Sequence, residues 1–323
     1  MGGLSRKYTT INNIRLNGEN PIILDAGDLI HTNLVIHDSV RDSEIHRASS
    51  MIRGYEKIGC DAINVGQYEM AGGLDGLLEL NRNSSIPFIS ANLKNSKNNQ
   101  LLFEPYIIIN RDDLEIGVIG LTDLVSQDIL GIRIDNYRSI GNEYINRIRN
   151  KVDLVVLLVN SDRSTYKDLA GYFPDADLIY TSGSTRLTRR MMVQSEEGPF
   201  VYSCGREGRY LNKIKVSINS DELPIINTSY FQARIEYLTK KLQRYQEKDS
   251  SVSLDELYSD QPSIITLLKE TKDDISRMKG KLENVQNSIV FQNIAMDASI
   301  KDDSVMLDHV NEALSLYKVL KNK

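Results

Sequence analysis

Apolar positions in the first two hundred residues fall into short runs that switch between two periods. Pro21-Ile-Ile-Leu-Asp-Ala-Gly-Asp28 is an apolar run that stops at two carboxylates. This is the pattern of a buried strand with acids at its carboxyl end, where open α/β sheets place their ligands. Ahead of it, Leu4, Tyr8, Ile11 and Ile14 recur at helical spacing; behind it, Ile45, Ala48, Met51, Ile52, Tyr55 and Ile58 do the same until Gly59 supplies a stop. A strand over 62–65, a turn Gly66-Gln-Tyr-Glu69, a helix over 74–80 and a strand within 87–92 continue a βαβ rhythm. Runs 106–109 and 114–121 flank Arg111-Asp112-Asp113 and predict a hairpin that interrupts it. After a helix around 141–150, residues 153–159 form the most apolar run of the chain, a central buried strand ending at Asn160-Ser-Asp162. A short helix over 166–173, a strand over 177–180 with the loop Ser182–Arg186, and short strands at 191–193, 200–203 and 211–218 complete this region.

Near Pro224 the pattern changes. Phe231, Ile235, Leu238, Leu242 and Tyr245 alternate steps of four and three, as do Leu268, Thr271, Ile275, Met278, Leu282, Val285 and Ile289. A Ser- and Asp-rich linker over 249–260, with Pro262 in a first-turn position, joins the two seams into an antiparallel helical hairpin. Asp302 is placed to cap a last helix with Val310, Leu314 and Tyr317 on its inner face. The expected division is an α/β domain over 1–222 and a helical module over 223–323.

Composition narrows the chemistry. In 323 residues, 41% hydrophobic and 26% charged positions are ordinary for a soluble globular chain, and a net charge of -5 predicts no nucleic-acid partner. Cys60 and Cys204 lie too far apart for spacing to imply a metal pair or a disulfide, and read as small buried hydrophobes. No run approaches the roughly 18 apolar residues of a membrane span. The N-terminus shows no signal-peptide pattern and opens almost directly on a helix, as a truncated start would.

Taken together, Gly2-Gly-Leu-Ser-Arg6, Leu24-Asp-Ala-Gly-Asp28, Gly66-Gln-Tyr-Glu69, Pro87-Phe-Ile-Ser-Ala-Asn92, Ile116-Gly-Val-Ile-Gly-Leu121 and Gly208-Arg-Tyr-Leu211 resemble, in order, landmarks of the 5′-nucleotidase branch of the calcineurin-like metallophosphoesterases. The resemblance covers roughly residues 2–220. It implies a four-layer α/β/β/α sandwich whose strand ends hold two divalent ions (manganese, zinc or magnesium), and hydrolysis of nucleotide phosphate esters by a metal-activated water. A helical tail after such a domain resembles those of some bacterial exported proteins, which implies a periplasmic or other extracytoplasmic location.

On this resemblance Asp28 matches the bridging carboxylate, Gln67 stands where the family has an asparagine ligand, and Asn160 where it has a histidine ligand; these three are the metal candidates. Tyr68 occupies the place of the histidine that assists the leaving group, so no catalytic residue is assigned. Gly183-Ser184-Thr185-Arg186 replaces Gly-His-Thr-His, and the Asp-x-His motif would precede Met1. Asn92 and Arg186 are the substrate-binding candidates, Asn92 reading first as a structural residue of the Ser-Ala-Asn turn. Arg186, Arg189 and Arg190 either lie in a solvated loop or grip phosphate directly. His31, His37, His46 and His309 read as solvated, Asp25 as a binder of loop amides, and Glu69 as a helix N-terminal residue.

Two divalent ions about 3.5–4 Å apart need more carboxylate and imidazole than remains. The expectation is a pseudoenzyme with weak or no hydrolysis. The alternative is a non-catalytic binding or scaffold protein that meets a protein partner, or itself, through 228–290. The family's base-clamping second domain has no counterpart here, since the helical module takes its place.

Overall fold

The computed structural model describes residues 3–124, 131–194, 198–220 and 222–322, so Gly2 of the first landmark lies outside the described residues. The chain divides into two compact units, Met1–Thr188 with Gly198–Leu211 and Ile294–Lys323, and Arg189–Glu197 with Asn212–Asn293.

In the first unit, α1 (Leu4–Leu16) precedes β1 (Leu24–Asp25), and α2 (Arg41–Ile58) follows. Gly59 ends α2 at φ 77°, a left-handed position where glycine carries no Cβ penalty. β1, β2 (Ala62–Asn64) and β3 (Phe88–Ile89) form a parallel sheet, with α3 (Gly73–Arg82) between β2 and β3. β4 (Leu93–Asn95) follows, then the hairpin of β5 (Tyr106–Arg111) and β6 (Leu114–Thr122). Asp112 and Asp113 take φ of 50° and 66°, the two positive values that a tight two-residue hairpin turn requires. β7 (Ile132–Ile134) pairs with β4; α4 (Tyr137–Ile148), β8 (Leu154–Asn160), α5 (Leu169–Tyr172), β9 (Leu178–Ser182) and β10 (Phe200–Ser203) complete the layer. The second sheet runs β10-β9-β8-β6-β5 and is parallel except at β5.

β8 is buried along its whole length. Val155, Leu157 and Val159 pack with Tyr144, Ile145 and Ile148 of α4 and with Phe173. Strand side chains alternate, so Leu154, Val156, Leu158 and Asn160 face the other sheet. The first sheet has its own core, in which Ile63, Val65 and Phe88 meet Ala48, Ile52 and Tyr55 of α2 and Leu77 of α3. Where the sheets meet there is little room: a Cβ on Gly120 would lie 2.6 Å from the Ile89 carbonyl oxygen and 2.7 Å from Asn64 Oδ1. Thr122 Oγ1 donates to the Val65 carbonyl, and Asn64 Nδ2 donates to the carbonyls of Ala26 and Leu121 at 3.0 Å each. The layers are helix, sheet, sheet, helix, as the resemblance implies.

The end of the chain departs from expectation. α9 (Ser304–Lys321) belongs to the first unit, so the compact units do not follow a division at 222 and 223. His46 Nε2 lies 3.1 Å from the Ala313 carbonyl, His309 Nε2 lies 3.0 Å from that of Ser50, and the Tyr317 hydroxyl donates to Glu44 Oε1 at 3.1 Å. Both histidines are half-buried rather than solvated. Asp303, not Asp302, caps α9, accepting the Met306 N–H at 2.8 Å, because Asp302 is occupied by Ser5 Oγ and Arg6. Leu314 is 51% exposed, because it follows the docked Ala313 directly and is rotated about 100° round the helix from it.

β11 (Tyr210–Ser217), β12 (Ile226–Asn227) and β13 (Ser288–Ala295) make a three-stranded sheet, of which the second unit holds all but Tyr210–Leu211 and Ile294–Ala295; in that unit α6 (Thr228–Gln246), the short α7 (Leu254–Leu257) and α8 (Pro262–Gly280) form the hairpin. α6 and α8 pack on one another, with Phe231, Leu238, Leu268 and Thr271 buried. The second seam stops at Gly280. Ile289 and Phe291 are buried while Val290 is 43% exposed, so this stretch has the two-residue period of a strand, and β13 pairs parallel with β12. Residues 191–193 lie in no strand. Among the described residues no helix is long and apolar enough to cross a membrane.

Candidate functional site

The carboxyl ends of β1, β2, β8 and β9 converge on Asp28. Gly27, at φ 98°, turns the chain there, and a Cβ on it would lie 2.8 Å from the Asn64 carbonyl oxygen and 2.9 Å from the Gly66 nitrogen. Asp28 itself sits at φ 65°, a left-handed conformation that Asp tolerates better than most residues. Its Oδ1 accepts the Tyr68 N–H at 3.2 Å, its Oδ2 accepts Asn160 Nδ2 at 2.8 Å, and the Gly183 N–H also reaches the carboxylate. Burial raises its pKa, and these donors only partly offset the rise.

Asn160 is fully buried and completely used. Nδ2 also donates to Ser182 Oγ at 2.7 Å, Oδ1 accepts the Gln67 N–H at 3.2 Å, and Ser182 Oγ donates onward to the Ala26 carbonyl at 2.7 Å. The reverse amide orientation would set oxygen against carboxylate and NH2 against N–H, so the partners dictate this one. The packing leaves space only for glycine at 66: a Cβ there would lie 2.6 Å from Asp28 Oδ1 and 2.9 Å from Asn160 Nδ2.

Glu69 is the residue that sequence reasoning undervalued. It is fully buried, and its carboxylate gathers four backbone N–H groups: Asp28 at 2.8 Å and Gly66 at 2.7 Å on Oε2, Leu29 at 2.6 Å and Ile30 at 3.2 Å on Oε1. It therefore ties the loop after β1 to the loop after β2. Burial first, and the charge of Asp28 second, push its pKa up to about 7. Its only sequence signal is a Glu three residues after Gly66 at a strand's end. Asp25 behaves as expected and more: Oδ1 accepts the Gly27 N–H at 3.0 Å, Oδ2 accepts the Tyr55 hydroxyl at 3.1 Å, and Lys7 Nζ donates to that hydroxyl at 2.8 Å.

Of the candidate residues, Asp28 and Asn160 come together, whereas Gln67 and Tyr68 contribute backbone N–H groups. Asn92 is an internal strap: it is fully buried, donates to the carbonyls of Thr122 at 2.7 Å and Asp135 at 3.0 Å, and accepts the Thr122 N–H at 3.0 Å. No hydrogen-bonding edge of its amide is left for a substrate. The three arginines do not act as a set. Arg186 is half-buried with its guanidinium 4.0 Å over the Tyr166 ring, while Arg189 and Arg190 lie in the second unit, where Arg190 comes within 3.9 Å of Glu236. His31, expected in solvent, is buried with Nδ1 3.5 Å from Glu44 Oε2, and burial lowers its pKa. His37 is exposed.

A two-metal centre needs several carboxylate or imidazole donors with free lone pairs. Here the carboxylate of Asp28 already accepts N–H groups on both oxygens, Asn160 turns its NH2 rather than its oxygen toward it, and Glu69 is occupied by four amides. Ser182 and Ser184 add only neutral hydroxyls. These residues do not fit a pair of divalent ions. Among the described residues no group of three His, Cys, Asp or Glu gathers where an ion could sit.

No protein-family profile matches the chain. It is 32% identical over 124 residues to a 5′-nucleotidase of Vibrio parahaemolyticus, covering 37% of this chain and 21% of that protein. It is 26% identical over 212 residues to the NAD 5′-nucleotidase of Haemophilus influenzae, covering 62% and 34%. The chain thus matches between about a fifth and a third of the length of these curated relatives. In fold it is similar to the calcineurin-like phosphoesterase YfkN of Bacillus subtilis, with a TM-score of 0.64 at 15% identity, covering 100% of this chain and 91% of that one. A 5′-nucleotidase precursor of Thermus thermophilus gives a TM-score of 0.57 at 19% identity, covering 68% and 46%.

Proposed function

We propose that the strand-end site binds the phosphate end of a nucleotide-class ligand without hydrolysing it, a reading supported by the likeness in sequence to 5′-nucleotidases and in fold to a calcineurin-like phosphoesterase. One observation carries the reading: both oxygens of Asp28 face protein N–H donors, one of them the Asn160 NH2. In two-metal hydrolysis the carboxylate at this place anchors ions that clamp the attacking and leaving oxygens and make water a usable nucleophile. Asn160, Tyr68 N–H and Gly183 N–H take over that anchoring place as neutral donors, and Glu69 locks the two loops so that they cannot open around an ion pair. Tyr68, a phenol at the place where the family resemblance implies a histidine, is a weak proton donor near neutral pH.

The measurement is hydrolysis of AMP, a UDP-sugar and p-nitrophenyl phosphate with manganese or zinc added. The expected rate for the wild-type chain equals that of Asp28→Ala; substantial turnover abolished by Asp28→Ala overturns the proposal. A scaffold role for 228–290 is the weaker reading, because Phe231, Leu238, Leu268 and Thr271 of the seams are already buried in the hairpin.

A further inference from the structure

Arg186 is a cation held in place with no carboxylate paired to it among the described residues. Its guanidinium carbon lies 4.0 Å above the centre of the Tyr166 ring, its buried Nε–H has no acceptor, and among the described residues it forms no ion pair. The platform beneath it is rigid. The Tyr166 hydroxyl donates to the Val201 carbonyl at 2.8 Å and lies 2.8 Å from Thr188 Oγ1, which itself accepts the Ser203 N–H at 2.9 Å. The backbone of Arg186 is held as well: its N–H donates to Ser184 Oγ at 3.3 Å, and its carbonyl accepts the Gly205 N–H at 2.8 Å and Ser203 Oγ at 2.6 Å. The same loop begins at Ser182, hydrogen-bonded to Asn160, and Gly183, whose N–H reaches Asp28.

A guanidinium stacked on an aromatic face uses its flat surface for packing and keeps its N–H edge for an oxyanion, which it can take bidentately. Because the stack and the backbone bonds already order the side chain, little freedom is left to lose on binding. A purely structural role in packing would leave the buried Nε–H unsatisfied, a recurrent cost that an acceptor relieves. Asp28 does not compete for this cation, since its oxygens face amides. We infer that Arg186, braced by Tyr166, is the phosphate-binding group of the strand-end site, taking inorganic phosphate or a phosphomonoester by charge-assisted hydrogen bonds where relatives would use metal. This rests on the reading that the site binds phosphate without hydrolysis.

Isothermal titration of inorganic phosphate, and separately of AMP, into the full chain in buffer with EDTA tests it. Both bind, Arg186→Gln weakens them about tenfold or more, and Arg186→Lys, which keeps charge and stem but not the fork, loses an intermediate amount. Tighter binding of AMP identifies the ester as ligand, and equal binding the free anion. Circular dichroism on both variants confirms the fold, and the lysine variant keeps the test open if glutamine is not tolerated. Affinity unchanged in both variants, or absent in the wild type, overturns the assignment. Binding that vanishes in EDTA and returns with manganese overturns the metal-free reading instead.

Discussion

Replacing Glu69 with glutamine keeps the shape of the side chain and removes half of what it holds. Four N–H groups point at the carboxylate at 2.6–3.2 Å. Glutamine keeps one oxygen and turns an NH2 toward the other two donors, losing two charge-assisted bonds of about 1.5–3 kcal/mol each. Relief of the buried charge works the other way. The rise from 4.5 to about 7 is worth about 3 kcal/mol once the group is ionised. That rise is already net of the N–H bonds from Asp28 and Leu29, so the change of the variant's deficit with pH, rather than its size at one pH, is the quantity fixed by the shift. A carboxyl whose folded pKa is raised binds more protons folded than unfolded between about 4.5 and 7, so its stabilisation is full below that window and fades as pH rises through it. The deficit of Glu69→Gln should therefore widen by about 2–3 kcal/mol from pH 8 to pH 5. Urea denaturation of both proteins at the two pH values measures it. Comparing variant with wild type cancels His31, whose burial moves its pKa the opposite way. A deficit equal at both pH values, or larger at pH 8, would refute the reasoning.

Gly66→Ala should cost about 1–3 kcal/mol, seen as a lower urea midpoint, because the new methyl would sit 2.6 Å from Asp28 Oδ1. Tyr317→Phe removes the hydrogen bond to Glu44 and should speed amide hydrogen exchange across α9 about fivefold, with the other helices of the first unit unchanged. Leu268→Ala empties a fully buried position in α8 and should destabilise the second unit by about 2–5 kcal/mol; phosphate affinity, measured by titration, should stay unchanged.

Much of this architecture was legible because local period and global burial agree. β8 is an unbroken apolar run and is buried throughout, and Gly59 sits where the helical pattern ends. Asp28 and Asn160 were legible as strand-end polar residues, and they meet because β1 and β8 deliver both to one edge. What one residue does for a distant backbone was not legible. Glu69 reads as an ordinary helix-start acid until the loop after β1 folds over it, and Asn92 reads as a turn residue or a substrate contact until Thr122 and Asp135 close on it and leave the structural role. His31 is polar and in a loop, yet Glu44, thirteen residues on, draws it into the interior. The last helix itself was legible, but its cap was not, for the same reason: Ser5 and Arg6, almost three hundred residues away, engage Asp302 and leave the cap to Asp303. The second heptad seam ran past its true end because spacing alone does not register Gly280, a poor helix former, or the strand period at Ile289 and Phe291.

The central claim is that amide hydrogen bonds now occupy the place of the metal ligands. Titrating manganese and zinc into the 323-residue chain and into Asp28→Asn, by calorimetry at neutral pH, tests it most directly. The account predicts weak binding that is the same for both proteins. Two tightly bound ions per chain, lost in Asp28→Asn, would contradict it.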